Sequence, residues 1–339
     1  MSNRTLLHLL APFRPFLANA ETTEVVVNRP GEIGVETGGV WSWHQEPGLT
    51  FDRLDALGIL VAFNSGQDIA PTHPLCGAAL PDGERIQVCR PPATKPGTIS
   101  ITIRRPPSFR PTLQRLADGG LFAAGPLQRP AIPSDLGKFM DNYSARILGQ
   151  AVLDRKNILI AGATGSGKTT IAKALIEAIP LDERLVTIED TAEWNSIPHR
   201  NRVALFYSKG DQGVAKVRSE DLLECSLRMR PDRVLMQELR DGATFAYLRG
   251  VVAGHPGCIT TLHAGSAKGA FDALRLMIRQ HHAGATLGDA DVRNLLSMLV
   301  DIVVYCERKG NVFRVVDCLC RPVAADEAVF DRDGDGRAP

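Results

Sequence analysis

The chain has 339 residues, enough for two ordinary domains with a well-buried core, and its 44% hydrophobic and 23% charged content is that of a soluble globular protein. A formal net charge of +1 argues against a general nucleic-acid coat. Seven cysteines, odd in number and never spaced C-x-x-C, fit reduced cytosolic thiols and argue against a disulfide framework or a structural zinc site.

The N-terminal stretch Leu6 to Phe16 is mildly apolar and carries Arg14, with Arg4 just before it. It lacks the long apolar core and small-residue cleavage site of a signal peptide, so an ordinary terminal helix is expected. No apolar run approaches the ~18 residues of a membrane span, so any membrane association is expected to come through partner proteins. From residue 20 to about 108, short β-type runs are broken by Gly and Pro: Glu24–Val27, Gly31–Val35, Arg85–Val88 and Thr98–Ile103. The last alternates Thr or Ser with Ile, the pattern of a half-buried strand. Phe51 to Phe63 places Leu54, Leu57, Leu60 and Val61 at helical spacing. Together these predict an α+β module with antiparallel strands.

Prolines and glycines recur from 106 to 133, and Gly125 to Pro133 reads as a linker. Leu136 to Leu153 reads as a helix with Ser134 or Asp135 as its N-cap. Strands and helices then alternate. Strands are expected at Asn157–Ala161, Leu185–Ile188, Val234–Gln237, Cys258–Leu262 and Ile302–Cys306, and helices at Thr169–Ile179, Asp221–Met229, Ala243–Ala253 and Ala267–His281. Apolar, β-branched strands alternating with helices imply a parallel sheet covered on both faces. Cys318-Leu319-Cys320 reads as thiols on a strand, and the tail Asp331 to Gly336, half of a calcium loop without its final acid, as a disordered acidic end.

The chemistry concentrates at strand ends. Asn157–Ala161 runs into Gly162-Ala163-Thr164-Gly165-Ser166-Gly167-Lys168-Thr169-Thr170 and then a helix, the context of a P-loop. Glycines there let successive N–H groups face an anion, and the helix adds its positive N-terminus. Lys168 is expected to reach the β- and γ-phosphates of ATP, and the Thr169 hydroxyl to ligate Mg²⁺. Arg233–Gln237 ends in Glu238, placed to hold the metal or orient water. Leu185–Ile188 ends in Glu189 and Asp190, with Glu193 three residues on. Three acids so close repel one another unless a cation or an arginine intervenes. Cys258–Leu262 ends in His263, able to donate to a γ-phosphate; His255 before it is as well explained by packing.

In order, Gly-Ala-Thr-Gly-Ser-Gly-Lys-Thr-Thr, Ile-Glu-Asp-x-x-Glu, Arg-Pro-Asp-Arg-x-x-x-x-Glu-Leu-Arg and Gly-His-Pro-Gly-x-Ile-Thr-Thr-Leu-His-Ala resemble the secretion ATPase superfamily. Within it the chain is similar to the VirB-type traffic ATPases of type IV secretion systems, whose four segments are termed Walker A, Asp box, Walker B and His box. Glu24-Val25-x-Val27-Asn28-Arg29-Pro30-Gly31 and Leu80-Pro81-x-Gly83-Glu84-Arg85-Ile86-Gln87 extend the resemblance to residues 20–310. The resemblance implies an α/β chain: a smaller α+β N-terminal domain (1–124), a linker (125–137), a RecA-like P-loop NTPase domain (138–325) and a tail (326–339).

It also implies a homohexameric ring at the cytoplasmic face of a bacterial inner membrane, with no transmembrane segment of its own. Its partners would be inner-membrane components, other ATPases of the machine and a translocated protein or nucleoprotein. By resemblance Lys168 and Thr169 serve phosphate and magnesium, Glu189 is the Asp-box acid, Glu238 the Walker B acid and His263 the His-box group. Arg104 and Arg105, closing the last N-terminal strand, are the candidate arginines over the nucleotide, with Arg228, Arg230 and Arg240 flanking the Walker B strand. The missing four-cysteine zinc module favours the type IV secretion branch over type II secretion and pilus-assembly relatives. A low-turnover ATP-binding scaffold and a DNA-pumping motor are the alternative classes; the latter lacks an aromatic-basic strip for single strands. No adenine-reading motif stands out beyond the neighbourhood of Asn142 and Tyr143.

Overall fold

The computed structural model describes residues 2–105, 111–122, 142–207, 217–252, 254–310 and 312–320. The expected linker, the N-cap at Ser134 or Asp135 and the acidic tail lie outside them, as do the side chains of Asn142 and Tyr143. In chain order the elements begin with α1 (Ser2–Leu9), α2 (Arg14–Leu17), β1 (Thr22–Val27), β2 (Glu32–Thr37), β3 (Val40–Gln45), α3 (Phe51–Asn64), β4 (Leu75–Ala79), β5 (Arg85–Cys89) and β6 (Ser100–Arg104). There follow α4 (Leu113–Asp118), α5 (Asn142–Leu153), β7 (Ile158–Gly162), α6 (Lys168–Glu177), β8 (Leu185–Glu189), β9 (Arg202–Phe206), α7 (Ser219–Leu227) and β10 (Arg233–Leu239). The series closes with α8 (Ala243–Val252), β11 (Ile259–Leu262), α9 (Ala267–Gln280), α10 (Asp289–Leu299), β12 (Ile302–Lys309) and β13 (Val312–Cys320).

Among the described residues two compact units form: Met1–Pro111 with Pro180–Glu238 and Lys309–Val312, and Thr112–Ile179 with Leu239–Arg308 and Phe313–Pro339. In the first, a six-stranded sheet runs β3-β2-β1-β6-β5-β4, and all five pairings are antiparallel. Alternation sorts its side chains: Val25, Val27, Ile101 and Ile103 are buried against Leu54, Leu57 and Val61 of α3. Thr50 caps α3 by accepting from the Arg53 amide at 3.3 Å.

The remaining strands follow the orders β13-β12-β7-β11 in the second unit and β10-β8-β9 in the first. β12, β7 and β11 pair in parallel, as do β10, β8 and β9. Every residue of β7 and β8 is buried, as strands covered on both faces must be. The expected α/β architecture is therefore present. β3, β4, α4, β9 and α10 add to it, and β13 contains the strand expected at Cys318–Cys320. β9 is half-buried apart from exposed Phe206, and β3 is exposed throughout, so neither carries a strong apolar signal. All seven cysteines are free thiols. Among the described residues no helix is long and apolar enough to cross a membrane.

Candidate functional site

The phosphate loop is built by two tightly constrained glycines. β7 delivers the chain to Gly162, where a Cβ would stand 2.4 Å from the Cys306 carbonyl oxygen and 2.4 Å from Ser166 Oγ. No side chain fits there. Gly167 caps α6 at φ 89°, a left-handed conformation that suits glycine. Ala163 and Thr164 are exposed at the loop tip, and Thr169 and Thr170 are half-buried in the first turn of α6. Ser166 Oγ is buried with no hydrogen-bond partner among the described residues, an orphaned polar atom facing the closest approach of the loop.

Lys168 is nearly buried. Its ammonium donates to the carbonyls of Gly162 (2.9 Å) and Ala163 (2.8 Å) and lies 3.4 Å from His263 Nδ1. An ammonium offers only donors, so Nδ1 accepts and the imidazole proton sits on Nε2. His263 follows the end of β11 by one residue and is exposed. Burial pushes the neighbouring Cys306 thiol up to about 12, against the opposing charge of Lys168, so this cysteine is inert. Two residues of the last hairpin lean over the same loop. Phe313 ring carbons come within 3.4 Å of where a Gly167 Cβ would be, and the Arg308 guanidinium lies 5.4 Å from that ring. Neither was singled out from sequence, because neither belongs to a motif.

The acids sort into distinct environments. Glu189 closes β8 and is 1% exposed. Its Oε1 accepts from the Thr187 hydroxyl at 2.7 Å, and its Oε2 from the amides of Glu193 and Trp194, both at 3.1 Å. Burial raises its carboxyl above the ordinary range, opposed by those hydrogen bonds and by the charge of Arg202. Asp190 donates its amide to Gln237 Oε1 of β10 at 3.0 Å. The cation needed between neighbouring acids is Arg85 of β5. It pairs with Asp190 at 3.2 Å and with Glu193, and donates to the Thr191 hydroxyl at 3.1 Å.

Arg85 and Arg104 line a cleft of about 690 Å³ together with Asp190, Thr191 and Tyr207. Arg105 is turned elsewhere: it donates to the Asn19 carbonyl at 2.7 Å. Glu238 is half-buried on β10, whose first residue, Arg233, is fully buried in a two-pronged pair with Glu183. Arg228, Arg230 and Arg240 are exposed. His255 buries its Nδ1 without a partner among the described residues. Among those residues no group of three or more His, Cys, Asp or Glu gathers as a metal cage.

Comparison with known proteins gives this geometry a context. A family described as "Type II/IV secretion system protein" matches residues 134–328. The chain is 42% identical over 332 residues to the type IV secretion system protein VirB11 of Bartonella henselae, covering 94% of this chain and 93% of that protein. It is 40% identical over 314 residues to protein VirB11 of Agrobacterium fabrum, covering 91% of each. A crystal structure of the pilus retraction motor PilT with bound ADP superposes with a TM-score of 0.59 at 18% identity, over 94% of this chain and 84% of that one, a likeness of fold.

Proposed function

The chain belongs to the type II/IV secretion system family, in its VirB11 branch, and from that premise we propose that it is an ATP-hydrolysing motor of a type IV secretion system. The observation that carries the reading is the loop from Gly162 to Thr169, with its enclosed glycine, buried orphan Ser166 Oγ and pre-placed Lys168 ammonium. An amine held by two backbone carbonyls exchanges them for phosphate oxygens at little cost, because its partners stay oxygen throughout. The N-terminus of α6 and the Thr169 and Thr170 hydroxyls complete an anion site.

Hydrolysis is assigned to residues at the other strand ends. Glu238 and Glu189 are the acids that orient the attacking water, and His263 Nε2–H is the donor that meets a γ-phosphate oxygen. Arg104 is the more suitable of the two candidate arginines, because it lines a cleft with the Asp-box residues Asp190 and Thr191 while Arg105 is engaged by Asn19. Thr169 and Glu238 would hold Mg²⁺, which neutralises charge building on the phosphates. A magnesium site made of few protein ligands plus substrate oxygens agrees with the lack of a preformed acidic cage among the described residues.

The domain scheme of 1–124, 125–137, 138–325 and 326–339 is retained as part of this reading. So is assembly into a homohexamer at the cytoplasmic face of the inner membrane, bound to inner-membrane components and other ATPases and acting on a protein or nucleoprotein. The VirB11 relatives, and the lack of a membrane-crossing helix among the described residues, support this reading. Lys168→Ala is the test. ATP hydrolysis and secretion should fall together, whereas secretion persisting without hydrolysis would reduce the protein to an ATP-binding scaffold.

A further inference from the structure

Large aromatic rings left open to water are unevenly placed in this chain. Among the described residues they are Trp41, Trp43, Phe63, Phe206 and Phe313. The first four belong to the first unit; Phe313 belongs to the unit that carries the phosphate loop. An exposed ring forgoes the stabilisation that burial would give, so its surroundings bear on its role. Phe313 is fixed at its base and open above it. Its Cγ and Cδ1 come within 3.4 Å of where a Gly167 Cβ would stand, so the ring rests on the residue that caps α6. The Arg308 guanidinium lies 5.4 Å from the ring centroid, a cation–π contact that restrains the ring. Arg308 Nη1 is also 3.9 Å from where a Gly165 Cβ would stand. Ring and guanidinium thus flank the loop just before Lys168, yet 41% of Phe313 remains exposed.

The neighbour decides what such a ring can meet. A triphosphate held by the loop and by the N-terminus of α6 carries its nucleoside beside the same first turn. A nucleobase presents polar edges and a flat π face, and every base has the face. An open phenyl ring complements that face, and a guanidinium plane next to it is a second stacking surface. This explains how a base is held although the sequence shows no adenine-reading motif: stacking needs one well-placed ring and no string of donors. We propose that Phe313 is the stacking platform for the nucleobase, the residue that makes this site prefer a nucleoside triphosphate to a bare polyphosphate. The proposal rests on the phosphate-binding reading of Gly162 to Thr169 given above.

The test is calorimetric titration of the whole chain with Mg²⁺ and two probes. One is the slowly hydrolysed ATP analogue AMP-PNP; the other is inorganic tripolyphosphate, which has the phosphates without a base. Wild type should bind AMP-PNP about tenfold or more tightly than tripolyphosphate. Phe313→Leu keeps an apolar side chain against Gly167 and removes the π face. It should bind AMP-PNP about tenfold more weakly than wild type and tripolyphosphate within about twofold of it. Phe313→Tyr, which keeps the face, should hold AMP-PNP within about threefold of wild type. Should Phe313→Leu not fold, Phe313→Met, apolar and ringless, replaces it. Wild-type affinity of the ringless variant for AMP-PNP, an equal loss for both probes, or a loss in Phe313→Tyr as large as in Phe313→Leu would overturn the proposal. Wild-type protein that binds tripolyphosphate as tightly as AMP-PNP would remove the base platform and leave the phosphate site standing. Wild-type protein that binds neither probe would remove the phosphate site itself, and the platform with it.

Discussion

Arg85 Nη2 lies 3.2 Å from Asp190 Oδ1, joining residues 105 positions apart in the chain. The Asp190 side chain is 3% exposed and that of Arg85 30%, so the pair is shielded on the acid side and open on the arginine side. Because Arg85 also pairs with Glu193, one guanidinium holds two neighbouring carboxylates that would otherwise repel.

Arg85→Ala is therefore expected to destabilise by about 1–2 kcal/mol, between an exposed pair and a fully buried one. Asp190→Asn in the Arg85→Ala background should recover part of the loss, since it removes a charge left behind. Denaturant titration of the two single variants and the double variant measures the coupling. Strictly additive losses would mean that the pair contributes nothing beyond its separate contacts.

Glu189→Gln separates function from stability. Burial raises the Glu189 carboxyl, so the folded protein binds this proton more tightly than the unfolded chain, whose ordinary value is 4.5. The sign follows: wild-type stability declines as pH rises from that value through the raised one, because an ionised carboxylate must then be kept buried. Glutamine removes the decline. The variant should match wild type near pH 4 and melt at a higher temperature than wild type near pH 7. Turnover should fall about a hundredfold if Glu189 orients the attacking water. A variant that is less stable at neutral pH, or one that keeps full turnover, contradicts the assignment.

The parallel strands were readable because burial on both faces writes unbroken apolar runs, as in Ile158–Ala161 and Leu185–Ile188. The P-loop was readable because local backbone geometry dictates its glycines. β3 carries Trp-Ser-Trp alternation but no burial, and β9 lies at the sheet edge, so their pairing comes from register with a neighbour and not from their own composition. α10 has Val292, Leu296 and Leu299 at helical spacing, a signal short enough to pass for a loop. Arg85 shows the limit most clearly. Its strand was legible and its neighbours suggested a family motif, yet nothing near it in sequence announces Asp190. The acidic triplet did announce the need for a cation; only the folded chain supplies the partner.

Gly162→Ala tests the loop by steric means alone. The added Cβ would sit 2.4 Å from two atoms, one of them the backbone oxygen of Cys306 on β12. Backbone cannot swing aside as a side chain can, so β7 and β12 must part or the loop must shift. Loss of nucleotide binding is expected, measured with a fluorescent ATP analogue, with destabilisation of about 2–4 kcal/mol from overpacking. Retained binding at near wild-type affinity would show that the loop adapts and that its observed shape is not the one that holds phosphate.

His263 can act in two ways, and its two ring nitrogens distinguish them. Nδ1, 3.4 Å from Lys168 Nζ, can hold the lysine in place, while Nε2–H can donate to a phosphate oxygen. Asparagine places an acceptor near the Nδ1 position, and glutamine places a donor near the Nε2 position. The residue is exposed, so none of these substitutions should change stability by more than about 0.5 kcal/mol. If donation to the γ-phosphate is the role, kcat should fall about tenfold or more in His263→Ala and His263→Asn and be partly restored in His263→Gln, with ATP affinity within about threefold of wild type. Rescue by asparagine instead of glutamine would assign the residue to positioning Lys168. Equal activity in all three would remove His263 from the site.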